Sequence, residues 1–190
     1  VYNSVCKPID IAKFKRMNDL KAAIVFEKLC GEIDEQKAQA VALYLWEVKR
    51  FENNKEEHIH LSKDEKCPVC GMYVYKYPNW AAEIKTDKER FVFDGVKDMM
   101  KFYLDPQKYK KGISKSSITK VVVSDYYTLR AIDGKKAFYV IGIRVLGPMG
   151  KELIPFVSIE DAKSFMADYG GTRILKFDEI TSDIIKKLDE

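Results

Sequence analysis

Histidine is nearly absent from this chain of 190 residues: His58 and His60 are the two present, and both sit in a charged linker. That scarcity removes most sites that use imidazole as a base or ligand. No Ser/His/Asp set, P-loop or dinucleotide glycine motif occurs, and Asp94-Gly95 reads as a turn or helix cap. We expect no enzyme. Cysteine is sparse too: Cys6, Cys30, Cys67 and Cys70 are too few and too unevenly spaced for a disulfide scaffold. No apolar run approaches the ~20 residues of a transmembrane helix. A basic stripe is also missing. The net charge is +4, with 33 Lys and Arg interleaved with 29 Asp and Glu, so nucleic acid is not an expected partner. Disorder is excluded by the 46% of hydrophobic residues. The chain opens on Val1 and not on methionine, so we expect a leader, and any targeting signal in it, to have been removed.

The pattern that is present changes once along the chain. Up to about residue 57 it is helical. Asp10 is placed to cap a helix carrying Ile11, Phe14, Met17, Leu20, Ile24 and Leu29, with Gly31 ending it. Asp34 is placed to cap a second, with Ala38, Val41, Leu45 and Val48 on one face. Residues 53–57 read as a polar linker.

Beyond the linker the pattern becomes strand-rich and repeats. The first repeat has Tyr73-Val74-Tyr75, residues 80–84, residues 90–93, a helix capped by Asp94 that stops before Pro106, and residues 118–123. The second has residues 138–141, residues 153–157, a helix opened by Ser158 with Asp161 at capping-box spacing, and residues 173–177. A last helix starts at Thr181 or Ser182. The expected fold is α+β: an N-terminal helical hairpin (1–57), then two tandem β-β-α-β units (58–130 and 131–190) with mostly antiparallel sheet.

Cys67-Pro68-Val69-Cys70-Gly71-Met72 concentrates the chemistry, with two thiols and a thioether within six residues. Such soft donors favour Cu(I), Zn(II) or an iron–sulfur cluster over hard cations. One C-x-x-C is half of a zinc ribbon, and no second pair exists. A structural zinc module would have to recruit His58 and His60 to Cys67 and Cys70. A thiol–disulfide protein would use Cys67 and Cys70 alone, although here the pair precedes a strand-like segment instead of opening a helix. A structural disulfide or two plain thiols is the bland alternative. Met72 could also be the first core residue of a strand, the commoner fate of a methionine. Met149 lies in Gly147-Pro148-Met149-Gly150 with little local apolar company, whereas Met17, Met99, Met100 and Met166 sit at core spacing.

The C-x-x-C-G-M stretch resembles the signature of the nitrous-oxide-reductase accessory protein family, NosL. Phe93-Asp94-Gly95-Val96-Lys97-Asp98-Met99-Met100, Val123-Ser124-Asp125-Tyr126, Gly147-Pro148-Met149-Gly150 and Gly170-Gly171 with residues 175–180 are similar to further segments of it, in the same order, over about residues 64–180. The resemblance implies a periplasmic, often lipid-anchored protein that binds Cu(I) and helps to build the copper–sulfide centre of nitrous oxide reductase. Its fold would be a pair of β-β-α-β units. Its partner would be that enzyme or its assembly and transport machinery, as copper acceptor or donor. It implies Cys70, Met72 and Met149 as copper ligands, with Cys67 at the less certain first cysteine. Copper would pass on by ligand exchange. Two features depart from the family: helical residues 1–57 precede the signature, and Asn3-Ser4-Val5-Cys6 is a poor lipobox.

Overall fold

A computed structural model describes residues 6–14, 16–49 and 58–190. Contacts divide the chain into two compact units: Val1–Glu56 with Tyr127–Leu129, and Glu57–Tyr126 with Arg130–Glu190. The expected linker at 53–57 and the residues Asn3, Ser4 and Val5 lie outside the described residues. Among the described residues no helix is long and apolar enough to cross a membrane.

The first unit is a helical hairpin of α1 (Met17–Phe26) and α2 (Glu35–Tyr44). Leu20 and Ile24 pack with Cys30, Ala38, Val41, Ala42 and Leu45 in its core. The side chain of Val48 is outside the description. Asp34 caps α2 as expected, accepting from the Lys37 N–H at 2.8 Å. The first helix differs from expectation. Ile11–Lys13 is a separate 3-10 turn, and α1 starts after Arg16, whose guanidinium grips Asp19 through two 3.0 Å hydrogen bonds. A carboxylate in the first turn suits the positive end of the helix dipole. The helix stops before Leu29 because the chain turns back there: the Lys7 N–H donates to the Leu29 carbonyl, and Cys30 is disulfide-bonded to Cys6.

The second unit holds two antiparallel sheets around one core. β1 (Ala82–Thr86) lies between β2 (Arg90–Phe93) and β3 (Ile118–Ser124), and β4 (Ala131–Asp133) adds to β3. Helix α3 (Val96–Leu104) follows β2, with a short α4 (Pro106–Tyr109) behind it. In the other sheet β5 (Phe138–Ile141) lies between β6 (Ile154–Phe156) and β7 (Arg173–Lys176). Helix α5 (Ile159–Tyr169) connects β6 to β7, and α6 (Ser182–Asp189) ends the chain. Each sheet therefore has its first strand in the middle, flanked by its second and third. The α+β fold with two β-β-α-β units is as the pattern predicts. Strand β4, just past the expected division at 130/131, hydrogen-bonds within the first sheet.

Ser158 and Thr181 cap α5 and α6 through the N–H groups of Asp161 and Ile184. Gly170, at φ 75°, ends α5 in the left-handed conformation that a Cβ disfavours. Met99, Met100, Phe93 and Phe102 are buried beside Tyr139 and Leu175 from the second sheet and Phe177 just after β7. Residues of both sheets thus bury their apolar faces together, and this shared burial is what brings distant loops into register.

Candidate metal centre

Residues 65–74 were expected to enter a strand at Tyr73-Val74-Tyr75. Instead the segment folds back on itself, and Val74–Lys76 is a 3-10 turn. The Cys67 N–H donates to the Met72 carbonyl (2.8 Å), that of Gly71 to the Cys67 carbonyl (2.9 Å), and that of Val74 to the Glu65 carbonyl (3.1 Å). The backbone donors of a strand are thereby spent on a knuckle. Gly71 sits at φ 79°, where only a residue without Cβ is unstrained. The knuckle turns the sulfurs of Cys67 and Cys70 inward. Cys67 is buried and Cys70 half-buried.

Opposite them stands the start of α3. The Cys70 thiol donates to Oδ1 of Asp94 (3.1 Å) and the Cys67 thiol to Oδ2 of Asp98 (3.6 Å). The donor atoms of these four residues all lie within 4.8 Å of one another. Asp94 was expected to cap the helix. It does not: Gly95 is the N-cap residue and offers no side-chain bond. The helix is capped from the second repeat, where Oε1 of Glu152 accepts the Lys97 N–H at 2.5 Å and the Leu153 N–H at 2.9 Å. Asp94, relieved of capping, faces Cys70. A Cβ on Gly95 would overlap the Glu152 carboxylate, so glycine is what lets the two repeats meet here.

Burial pushes the Cys67 thiol far up, against N–H groups of Cys70 and Val69 directed at its sulfur, while Asp94 and Asp98 push it further. Burial also pushes Cys70 up, to about 12, opposed by the Met72 N–H and reinforced by Asp94. Both thiols donate hydrogen bonds to carboxylates. Glu152, fully buried, is pushed up to about 8 by burial, against the Leu153 and Lys97 N–H groups and the Lys97 charge.

The turn carrying Met149 is tied to α3. It is closed by paired Gly147 and Gly150 N–H···O bonds of 2.8 and 3.1 Å. The Lys97 ammonium, 2% exposed as a residue, binds the Met149 carbonyl at 2.9 Å and Asp189 at 3.0 Å. Lys101 joins Asp98 (3.1 Å) to the same Asp189 (2.9 Å). Met149 is 45% exposed, so its side chain is not packed into the core of its own repeat. Met72 is half-buried at the end of the knuckle. The two cysteines come together, Met72 follows them in the knuckle, and the Met149 turn is tied through its carbonyl to Lys97 of α3. The histidines do not join the cysteines: His58 is half-buried, His60 is exposed, and the His60 carbonyl accepts from the Arg90 guanidinium. A His58/His60/Cys67/Cys70 set is therefore not assembled. Asp94 as a donor, Asp98 and Glu152 escaped sequence reasoning, since each acts across a separation of 24 residues or more.

The profile of the NosL family matches residues 58–185, the whole stretch that builds this centre. This chain belongs to the NosL family. The copper-binding lipoprotein NosL of Stutzerimonas stutzeri is 26% identical over 139 residues, spanning 69% of this chain and 70% of that protein. The crystal structure of the copper chaperone NosL from Shewanella denitrificans has a TM-score of 0.56 and 27% identity, covering 66% of this chain and 96% of that one. The solution structure of apo-NosL from Achromobacter cycloclastes is 26% identical, covering 55% and 87%, with a TM-score of 0.41. The first two relatives are named as a copper-binding lipoprotein and a copper chaperone, not for catalysis. The helical hairpin lies outside the NosL match.

Proposed function

We propose that this NosL protein is a Cu(I) metallochaperone, and that it delivers copper by ligand exchange for assembly of the copper–sulfide centre of nitrous oxide reductase. The observation that carries the reading is the meeting of the C-x-x-C-G-M knuckle with the start of α3, to which the Met149 turn is also tied. The donors are Cys70, Met72 and Met149, with Cys67 as a further thiolate. Thiolate and thioether together favour Cu(I) over harder ions. Exposure of Met149 leaves a side from which an acceptor's ligand can enter, so copper passes through a shared-ligand intermediate without a redox step. The acceptor is the reductase or its assembly and transport machinery. Residues 1–57 are a region additional to the units 58–130 and 131–190. The protein's setting is periplasmic and lipid-anchored, and the word lipoprotein in the name of the Stutzerimonas relative supports the anchor. A thiol–disulfide role is disfavoured because such chemistry needs an accessible thiolate, and here Cys67 is buried and both thiols are pushed up.

Anaerobic Cu(I) titration against a chromophoric chelator tests the site. About one equivalent should bind tightly, Cys70→Ser should lose that binding, and Cys67→Ser should lose less. Parental titration by Cys70→Ser refutes the assignment. Delivery is tested separately, by adding the copper-loaded protein to copper-free nitrous oxide reductase with its assembly machinery. No gain in the copper–sulfide absorption would refute delivery.

A further inference from the structure

Holding a metal does not explain what the knuckle shows to solvent. Lys66 and Tyr73 pair across an antiparallel bridge, each one residue outside Cys67 and Met72. Residues paired in this way put their side chains on one face, and the next residue along points to the other. Buried Cys67 therefore leaves Lys66 and Tyr73 outside, and both are exposed. The 3-10 turn that follows is anchored by fully buried Val74, which leaves Tyr75 and Lys76 outside as well.

These four side chains form one patch. The Lys66 ammonium lies 4.6 Å from the centre of the Tyr73 ring, and that of Lys76 lies 5.9 Å from the same ring. Tyr75 meets Tyr73 edge to face at 6.2 Å. Tyr73 is 40% exposed and Tyr75 38%. The ring gathers the two ammonium groups but does not neutralise them. Among the described residues neither lysine forms an ion pair, and Glu65, next to Lys66 in the chain, is held by Arg90 at 2.8 Å.

We propose that Lys66, Tyr73, Tyr75 and Lys76 are the docking surface for the protein that receives the copper, and that they recognise an acidic segment of it. The proposal rests on the delivery reading above. Ligand exchange fixes where the partner sits. Its own donor must bond to copper held by Cys70 and Met72, so its surface has to cover the residues that adjoin them. Tyr73 follows Met72 directly. The partner meets two ammonium groups beside two phenol rings there, and carboxylates are the groups that complement them. Tyrosine rings supply rigid contact area that is buried on docking. The lysines set the sign of charge that is admitted and speed the approach. An anionic membrane has the same sign of charge, but it cannot take copper from the donors beside the patch.

The full chain, loaded with Cu(I), is tested for binding to copper-free nitrous oxide reductase with its assembly machinery on a biosensor surface. Parental binding should weaken as salt is raised. Lys66→Glu combined with Lys76→Glu should weaken it about tenfold or more, while Cu(I) affinity in chelator competition stays parental. Lys66→Gln with Lys76→Gln replaces that pair should circular dichroism show the reversed variant unfolded. Parental binding by the double variant overturns the proposal. Loss of binding to phosphatidylcholine–phosphatidylglycerol vesicles alone, with the machinery still bound, overturns it in favour of a membrane surface. Failure of the delivery reading looks different, because the parent itself would not bind the machinery. The surface is then decided by NMR of the isotope-labelled chain with a glutamate-rich peptide. Shifts centred on the four residues support it, and shifts scattered over the other lysines overturn it.

Discussion

Replacing Glu152 by glutamine should change how stability depends on pH, and the structure gives the size. Glu152 is fully buried, caps α3 through the Lys97 N–H, and has its carboxyl pushed up to about 8 from an ordinary value of 4.5. The folded state therefore keeps a proton between those values that the unfolded chain has lost. Stability falls with rising pH wherever the native state binds more protons. The cost is absent below about pH 4, grows through neutrality, and is complete above about pH 8. At 1.36 kcal/mol for each unit, the wild type should lose about 3 kcal/mol between pH 5 and 8 through this group alone. Glutamine keeps an acceptor for the Lys97 and Leu153 N–H groups but does not titrate. The difference in unfolding free energy between the variant and wild type should thus move in the variant's favour by about 3 kcal/mol over that range. Urea unfolding from pH 5 to 8, followed by Trp80 fluorescence in a Trp46→Phe background, measures it. A difference that stays constant with pH would refute the reasoning. It would mean that the nearby Lys97 ammonium outweighs burial and keeps the carboxylate ionised throughout.

Because both thiols are pushed up, Cu(I) must displace protons to bind at neutral pH. Its apparent affinity should rise about tenfold for each pH unit per thiol engaged, and a pH-independent titration would show the thiols are not ligands. Gly95→Ala would drive a Cβ into the Glu152 carboxylate. It should cost about 2 kcal/mol by overpacking, and an unchanged denaturation midpoint would place Glu152 elsewhere. Reducing the Cys6–Cys30 bridge, which spans 24 positions, should lower the stability of the helical unit by about 3 kcal/mol. Copper affinity should be unaffected, because neither cysteine belongs to the metal-binding group; a changed affinity would show that the hairpin acts on the centre.

Much of this protein was legible in its sequence because the relevant physics is local. Asp34, Ser158 and Thr181 cap helices since a short oxygen side chain and an N–H three residues on meet in any helix start. The order strand, strand, helix, strand appears twice in the apolar pattern and twice in the sheets. The knuckle likewise carries its own geometry: two cysteines three apart and a glycine able to take φ 79°. Tyr73-Val74-Tyr75 misled because alternation does not reveal whether a partner strand is free, and the backbone there was already committed to the knuckle. The surroundings of the thiols were decided by tertiary structure alone. Asp94 and Asp98 look like the opening of a helix until burial of both sheets against one core brings Glu152 to that helix start. Glu152 then supplies the cap, and the aspartates are left facing sulfur. Residue types and their spacing set which metals this chain can attract. Only the packing of the second repeat onto the first determines which donors stand beside the thiols, because that meeting depends on apolar area buried across the whole unit and on no short motif.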